Sequence, residues 1–287
     1  AYFKTHYPGI FMAAVLKNGG GYYPPAVYAA EARRLGVKVI PPDLNLSDKY
    51  DGLKSGRIFL GLYRVRDITT RTVEQIEKAR PFGSLGDFLG KIDISGRETE
   101  NLIRVGFFDS IETSRPKLLW EYRLYGRRRP NDRSDLFASK MEMPLMKNMP
   151  ALTAFSRYEI FKAEKEILEI PASFHPLTLF DTYKNPDIGH LFHDNEDREI
   201  SLVGWLADRK RIKTRDGKWM VFLTLDSPED TFEAVLFPEI YARYRETIYK
   251  YRYLHITGTI NREGGNPALL AEKIFPHPTG LKERKYI

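Results

Sequence analysis

The sequence predicts a multidomain protein of the α+β class, with helices in its first part and strands in its last part. Between residues 58 and 125, apolar residues recur at helical spacing in short segments that are joined by tight turns. Between residues 196 and 276, apolar segments of strand length are separated by turn signals. Because 287 residues can bury more than one hydrophobic core, we expect these two patterns to form separate domains.

Residues 1–57 combine short helical patterns with turn signals. Helical periodicity at residues 11–16 is interrupted by the sequence NGGGYYPP, and residues 27–35 are helical again, with Gly36 at the C-cap position. The sequence VKVIPPDLN then predicts a short buried strand that ends at Pro41. The three glycines lack the Gly-Lys-Ser/Thr ending of a phosphate-binding loop, so we interpret them as a turn.

Residues 58–125 have the pattern of a small helical module. Its apolar faces predict core positions at Val73, Ile76, Leu85, Phe88, Leu89, Leu102 and Ile103. Residues 126–195 begin with a stretch rich in Arg, Pro, Asn and Met that has no period, which predicts a linker. They continue with a helical pattern in FSRYEIFKAEKEILEI.

Five strand candidates and one helix occupy residues 196–276, before a C-terminal tail at residues 277–287. The strands are REISLVGWLA, WMVFLTL, FEAVLF, YLHITGTI and PALLAEKIF, and the fourth alternates apolar with polar residues. The helix PEIYARYRETI begins at Pro238 and lies between the third and fourth strands. Three strands, a helix and two strands is the order of an OB-fold, a five-stranded β-barrel.

A basic stretch separates the first two strands, and we expect it to be a loop over residues 208–218. OB-fold loops beside the second and third strands are where single-stranded nucleic acid usually lies. Cations there would neutralise phosphates, and aromatic rings would stack on bases. A net charge of +7 also favours a polyanionic partner, although a solvated hairpin is the alternative. The candidate single-strand residues are Arg209, Lys210, Arg211, Lys213, Arg215, Lys218, Trp219 and Phe222.

Several kinds of site are excluded or disfavoured by the sequence. The chain has no cysteine, which excludes disulfides and thiolate metal sites, and no apolar run long enough to span a membrane. The stretch AYFKTHYPGIF does not resemble an export signal, and the sequence contains no G-x-S-x-G, H-E-x-x-H or dinucleotide-binding motif. The sequence GHLFHDNED places His190 and His193 near Asp194, Glu196 and Asp197, but a solvated acidic loop explains it better than a metal site.

Six motifs in the same order resemble the C-terminal third of bacterial C-family DNA polymerases, the DNA polymerase III alpha subunit and its error-prone relative. The motifs are AYFKTHYPGIFMAAVL, EARRLGVKVIPPDLNLS, IFLGLYRVRDITTRTVEQIEKARPFGSLGDFL, LIRVGFFDS, AEKEILEIPASFHPL and RIKTRDGKWMVFLTLDSPEDTFEAVLFPEIYARY. The resemblance covers nearly the whole chain. GYYPP, LGLYRVRD and LLWEY favour the error-prone relative, and the choice between the two remains open.

The resemblance implies a role for each region. Residues 1–57 would be the end of the fingers region, and residues 58–125 would be a tandem helix-hairpin-helix module that grips duplex DNA through backbone amides and helix N-termini. Where the family has a Gly-Val-Gly hairpin, this chain has Asp67, Ile68 and Thr69, so the first hairpin either uses neighbouring cations instead or is purely structural. The candidate duplex-binding residues are Arg64, Arg66, Thr69, Thr70, Arg71, Gly96 and Arg97.

The linker occupies the place of the family's sliding-clamp motif. Arg133, Ser134, Asp135, Leu136 and Phe137 would form that motif, with Leu136 and Phe137 in an apolar pocket of the clamp. Arg133 stands where the family has Gln, and the sequence MPLM at residues 143–146 is a rival. Alternatively, the Leu-Phe pair anchors the linker to its own domain.

The family's catalytic aspartates lie in an upstream palm domain that nothing in this chain matches. We therefore expect no cofactor here, Mg²⁺ in the palm, and no nucleotide incorporation by this chain alone. The expected partners are duplex and single-stranded DNA, the sliding clamp and the remaining polymerase domains, in the cytoplasm at the nucleoid and not at a membrane. Two other hypotheses are a free-standing single-strand-binding adaptor and an anticodon-reading RNA-binding protein; the helix-hairpin-helix resemblance argues against the second.

Overall fold

The computed structural model describes residues 2–19, 21–127, 152–180, 183, 185–194, 198–262 and 267–276. The chain divides into two compact units. The first unit comprises residues 1–19 and 37–173, and the second comprises residues 20–36 and 174–287. The segment predicted as the end of the fingers region, residues 1–57, is therefore divided between the two units.

Most of the helices precede the barrel strands in the sequence. The α-helices are α1 (Tyr2–His6), α2 (Pro8–Lys17), α3 (Pro25–Arg34), α4 (Thr70–Ala79), α5 (Leu85–Lys91), α6 (Gly96–Val105), α7 (Arg115–Arg127), α8 (Arg157–Leu168), α9 (Ile188–Asp194) and α10 (Pro238–Lys250). The strands are β1 (Val39–Ile40), β2 (Gly52–Lys54), β3 (Arg57–Phe59), β4 (Glu199–Lys213), β5 (Trp219–Asp226), β6 (Thr231–Leu236), β7 (Tyr253–Asn261) and β8 (Ala268–Pro276).

The first unit packs short, capped helices around an aromatic core. Helices α4, α5 and α6 each begin after a Ser or Thr whose side chain accepts a backbone N–H of the first turn, which explains why such short helices form. The ring of Phe88 packs edge-on against Phe82, Phe107 and Phe108, with centroids 5.2 to 5.9 Å apart. All seven core positions predicted from helical periodicity are buried. The strand predicted at VKVI is confirmed as β1, in a small sheet of order β1-β3-β2.

The second unit contains a closed barrel with the strand order β4-β5-β6-β8-β7, which confirms the predicted five-stranded OB-fold. All neighbouring strands are antiparallel except β6 and β8, which are parallel. Helix α10 lies between β6 and β7 in the chain and has Pro238 at its first position, as the sequence predicts. Gly258 allows β7 to approach β8, because a Cβ there would lie 1.8 Å from the carbonyl oxygen of Leu270.

Helix α3 belongs to this barrel unit through a buried ion pair. Arg34 Nη1 lies 2.9 Å from Asp226 Oδ1, and the same guanidinium donates to the carbonyl of Ser227 and the hydroxyl of Thr231. Asp226 is fully buried and its other carboxylate oxygen lies 3.0 Å from His175 Nε2. A charge this deeply buried needs a partner, so the pair fixes α3 on the barrel.

Among the described residues, no helix is both long enough and apolar enough to span a membrane. Within the same residues, no group of three or more His, Asp or Glu side chains is arranged to hold a metal ion.

Candidate nucleic-acid interface

The basic stretch is a β-ribbon for most of its length, and the prediction of a loop over residues 208–218 is wrong. Strand β4 continues to Lys213, which pairs with Trp219 of β5, so only residues 214–218 form the turn between the strands. The Thr214 amide donates to the carbonyl of Lys218 at 2.8 Å, and Gly217 has a φ of 75° that favours glycine. The ribbon holds most of the candidate single-strand residues on a regular backbone.

One face of the ribbon carries cations around an exposed indole ring. Arg211 and Lys213 alternate along β4, and their charged groups lie 5.2 Å and 5.3 Å from the centroid of the Trp219 ring. Trp219 is 41% exposed, which places its ring at the surface and not in the core. Arg215 and Lys218 are exposed in the adjoining turn. Together these groups offer positive charge beside a ring on which a base can stack.

Arg209 has a different role from the other cations. Its Nη1 donates to the carbonyl of Ile248 at 2.6 Å, and its guanidinium lies 4.5 Å from the Tyr249 ring centroid. Both partners belong to the last turns of α10, where a cation stabilises the carbonyl end of the helix. Arg209 therefore fastens α10 to the barrel.

The opposite face of the ribbon lines a cavity of about 360 Å³. Its walls include Lys210, Ile212, Phe222 and Thr224 from the ribbon, together with Tyr22 and Glu233 from outside it. Of these residues, Lys210 and Phe222 were candidates from the sequence, and the other four were missed. Glu233 lies directly opposite Thr224 in the β5–β6 pair, so strand pairing brings it to the cavity.

Tyr22 reaches the cavity because the turn before α3 is held in place. The Tyr23 amide donates to the Tyr28 hydroxyl at 3.3 Å, and a Cβ on Gly21 would lie 2.7 Å from that hydroxyl. Burial, together with the nearby carboxylate of Glu233, raises the pKa of Tyr23. The adjacent aromatic residues in GYYPP were the only sequence signal for this part of the site.

The first helix-hairpin-helix turn has a left-handed residue where the family has glycine. Asp67 has a φ of 66°, a conformation that Asp tolerates better than most side chains. Its carboxylate lies 2.8 Å from Arg97 Nε, at the start of α6. The aspartate therefore competes with DNA phosphates for one of the cations predicted to bind duplex DNA, in a surface pair that can open.

The two hairpins meet at one buried carboxylate. Glu98 is 4% exposed and accepts hydrogen bonds from the Thr69 amide at 2.9 Å, the Thr72 hydroxyl at 2.7 Å and the Ser95 amide at 3.0 Å. Burial alone would raise the pKa of Glu98, but these hydrogen bonds outweigh it and lower the pKa below its ordinary value. The N-terminal ends of α4 and α6 are thereby held together, with Thr69 capping one and Gly96 opening the other.

The remaining duplex candidates differ in their availability. Arg64 forms a 2.8 Å ion pair with the buried Asp51 and donates to the carbonyl of Leu16, so its role is structural. Arg71 pairs with Asp93 at 2.7 Å on the surface, where such pairs open readily. Arg66 and Thr70 are exposed near the two helix ends.

Two groups of candidates lie partly or wholly outside the described residues. Wholly outside lie the clamp-binding candidates Arg133, Ser134, Asp135, Leu136 and Phe137, together with the rival MPLM segment. For the GHLFHDNED segment, α9 ends at Asp194, His190 is exposed, and the side chains from His193 to Asp197 are outside the described part.

Two protein families match separate parts of the chain. The Helix-hairpin-helix motif family matches residues 36–118, and the OB-fold nucleic acid binding domain family matches residues 200–276. The first match covers the β1-β3-β2 sheet and the two hairpins, and the second coincides with the closed barrel. Nucleic acid binding is part of the description of the second family.

Curated relatives match nearly the entire chain. The DNA polymerase III subunit alpha of Saccharopolyspora erythraea is 28% identical over 96% of this chain and 26% of its own length. The error-prone DNA polymerase of Corynebacterium efficiens is 25% identical over 98% of this chain and 26% of its own length. The alpha subunit of Thermus aquaticus is 29% identical over 84% of this chain and 21% of its own length.

The chain spans about a quarter of the length of the curated relatives it matches. Their names include both DNA polymerase III alpha subunits and error-prone DNA polymerases, so the relatives do not separate these two kinds of polymerase. The predicted resemblance is confirmed: over nearly its whole length, the chain is similar to bacterial C-family DNA polymerases, and it contains a helix-hairpin-helix module followed by an OB-fold.

Proposed function

We propose that this chain is a DNA-binding part of a C-family polymerase, in which the barrel unit holds single-stranded template and the paired hairpins hold duplex DNA. The observation that carries the proposal is the exposed Trp219 ring between Arg211 and Lys213. A stacking surface with flanking cations is what sequence-tolerant single-strand binding requires. Chemistry would take place in a palm domain supplied by other residues of the polymerase.

Electrostatics supports a strand that follows the ribbon. Arg211, Lys213, Arg215 and Lys218 are exposed within one hairpin, and Asp216 is the one acidic residue between them in the sequence. Each phosphate that such a cation neutralises releases condensed counterions, which makes binding salt-dependent. The same ribbon therefore supplies both affinity and a measurable signature.

A titration of labelled single-stranded DNA at several salt concentrations tests the proposal. Changing Arg211, Lys213 and Arg215 to Ala should weaken binding for every sequence alike. It should also reduce the slope of log affinity against log salt by about 2, since each lost contact accounts for about 0.7.

The matched control changes the same number of cations elsewhere in the barrel unit. Arg243, Arg245 and Lys273 are exposed on α10 and β8, outside the β4–β5 ribbon. Replacing these three with Ala removes the same net charge and should leave most of the slope. Equal losses in the two triple variants would show that only net charge matters and would overturn the assignment to the ribbon.

The proposed function also includes a contact with the sliding clamp. A peptide of residues 131–140 should bind a bacterial clamp, and changing Leu136 and Phe137 to Ala should abolish that binding. Two apolar anchors that leave a pocket cost about 2 to 4 kcal/mol, which is enough to erase a weak complex. Calorimetric binding that survives the double change would place the motif elsewhere, with MPLM as the next candidate.

A further inference from the structure

The cavity on the face of the ribbon opposite Trp219 has the size and composition of a ligand site. Its volume of about 360 Å³ lies within the range of about 300 to 1,000 Å³ that is typical of small-molecule pockets. Apolar and aromatic walls come from Ile212, Phe222 and Tyr22, and polar groups come from Lys210, Thr224 and Glu233. Flat apolar walls with a few polar groups suit a nucleobase better than a phosphate.

Glu233 and Lys210 would contact different parts of a bound nucleotide. A carboxylate repels phosphate, so Glu233 disfavours the DNA backbone inside the cavity. The same carboxylate accepts hydrogen bonds from an exocyclic amino group of a base. The exposed Lys210 can neutralise a phosphate of the same nucleotide.

We propose that this cavity is a base-binding subsite for single-stranded DNA, in which Tyr22 and Phe222 supply stacking surfaces and Glu233 selects bases that carry an amino group. The inference rests on the proposed function and deepens it. Tyr22 precedes the barrel by some way in the sequence, so the subsite is completed by a segment outside the OB-fold itself.

The structure explains how a residue so distant in sequence is held in position. The Arg34–Asp226 pair fixes α3 on the barrel, and Tyr28 of that helix accepts the Tyr23 amide in the preceding turn. Gly21 fits beside the Tyr28 hydroxyl where a side chain would collide with it. Tyr22 is 66% exposed, so its ring is available to a ligand in the cavity.

Cytosine and thymine provide the sharpest test of selection by Glu233. The two pyrimidines have the same ring size, but cytosine carries an amino group at the position where thymine carries a carbonyl. We expect the wild-type chain to bind oligo(dC) about 5- to 10-fold more tightly than oligo(dT) of the same length, because one base contact of this kind discriminates by about that factor. Glu233→Gln should remove most of the preference, since an amide can also donate to the thymine carbonyl.

Stacking is tested separately by variants at Tyr22. Tyr22→Ala should weaken binding to both oligonucleotides about 5- to 10-fold, since a stacked base is lost, while Tyr22→Phe should retain affinity because the ring remains. Phe275→Ala is the matched control, since Phe275 is also an exposed aromatic residue of the barrel unit and does not line the cavity. Thermal unfolding followed by circular dichroism shows that each variant is folded.

The outcomes separate this inference from the proposed function. If the wild-type chain binds no single-stranded DNA, both are overturned. If the wild-type chain binds DNA and the ribbon triple variant binds it more weakly, the proposed function stands. The subsite is nevertheless overturned if Tyr22→Ala behaves like Phe275→Ala and Glu233→Gln leaves the ratio of oligo(dC) to oligo(dT) affinity unchanged. Loss of the preference together with rescue by Tyr22→Phe supports the subsite.

Discussion

At the residue scale, a variant of Trp219 distinguishes the contribution of base stacking to DNA affinity from the contribution of charge. Because its ring is exposed beside two cations, Trp219→Ala should lower single-strand affinity by about 1 to 3 kcal/mol, as expected for one stacked base. The slope of log affinity against log salt should stay nearly constant, since stacking releases no counterions. Fluorescence anisotropy at several salt concentrations measures both quantities. An unchanged affinity would show that the ring serves only the hairpin.

Glu98 is the residue on which the paired hairpins depend most directly. Glu98→Gln should lower the free energy of unfolding by about 2 to 3 kcal/mol, because an amide nitrogen would face a buried N–H donor where a carboxylate oxygen now accepts. Glu159 provides the control, since it occupies the same capping-box position beside Ser156 but is exposed. Glu159→Gln should have a much smaller effect in urea unfolding.

Glu98 also makes the free energy of unfolding depend on pH, in a direction that its lowered pKa determines. The pKa of Glu98 is lower in the folded state than in the unfolded chain, so the unfolded state binds the proton more readily. Its stabilising contribution is complete above the ordinary glutamate pKa of about 4.3 and is lost as the pH falls through the folded value. The difference in unfolding free energy between wild type and Glu98→Gln should therefore shrink in acid. A difference that grows in acid would contradict the assignment.

At the scale of elements, the buried pair between α3 and β5 determines whether α3 stays on the barrel. Arg34→Ala should lower the free energy of unfolding by about 3 to 5 kcal/mol, because it leaves the fully buried Asp226 without its cation. Arg71→Ala removes one partner of the exposed pair with Asp93 and should cost less than about 1 kcal/mol. Similar losses for the two variants in urea unfolding would show that the buried pair is not the anchor.

The first hairpin gives a prediction that distinguishes its two interpretations. Asp67→Gly keeps the left-handed backbone, removes a negative charge and releases Arg97. If the hairpin contacts DNA, duplex affinity should rise several-fold and the salt slope should steepen by about 0.9, one phosphate contact. Asp48→Gly also removes a surface carboxylate and releases Lys54, which is not a duplex candidate, so it serves as the control. No gain specific to Asp67→Gly would identify the first hairpin as purely structural.

The elements that could be predicted from the sequence are those whose burial is periodic. The OB-fold order was predicted from five strand-length apolar segments and a helix that begins at Pro238, and helical spacing located the core around Phe88. Strand β4 was predicted too short because both faces of the ribbon are exposed beyond Arg209, so no apolar alternation marks it. Hydrogen bonding to β5 continues there regardless of side-chain burial.

At the scale of the whole molecule, the missed features depend on contacts between distant parts of the sequence. Arg34 and Asp226 are 192 positions apart, and neither has a local pattern that indicates the other. Once α3 is fixed to the barrel, Tyr22 joins Phe222 and Glu233 in lining the cavity, although Tyr22 is far from both in the sequence. Sequence patterns report local periodicity, whereas this part of the candidate site is created by tertiary packing.

The central claim is that single-stranded DNA lies on the β4–β5 ribbon of the barrel unit, and photocrosslinking tests it most directly. An oligonucleotide that carries a photoreactive pyrimidine would be irradiated with the chain, and the modified residues would be identified by mass spectrometry. We predict crosslinks at Trp219 and at Phe222 or Tyr22, which are lost in excess unlabelled single strand. Crosslinks concentrated instead at exposed aromatic residues away from the ribbon, such as Tyr2 or Phe275, would contradict the claim.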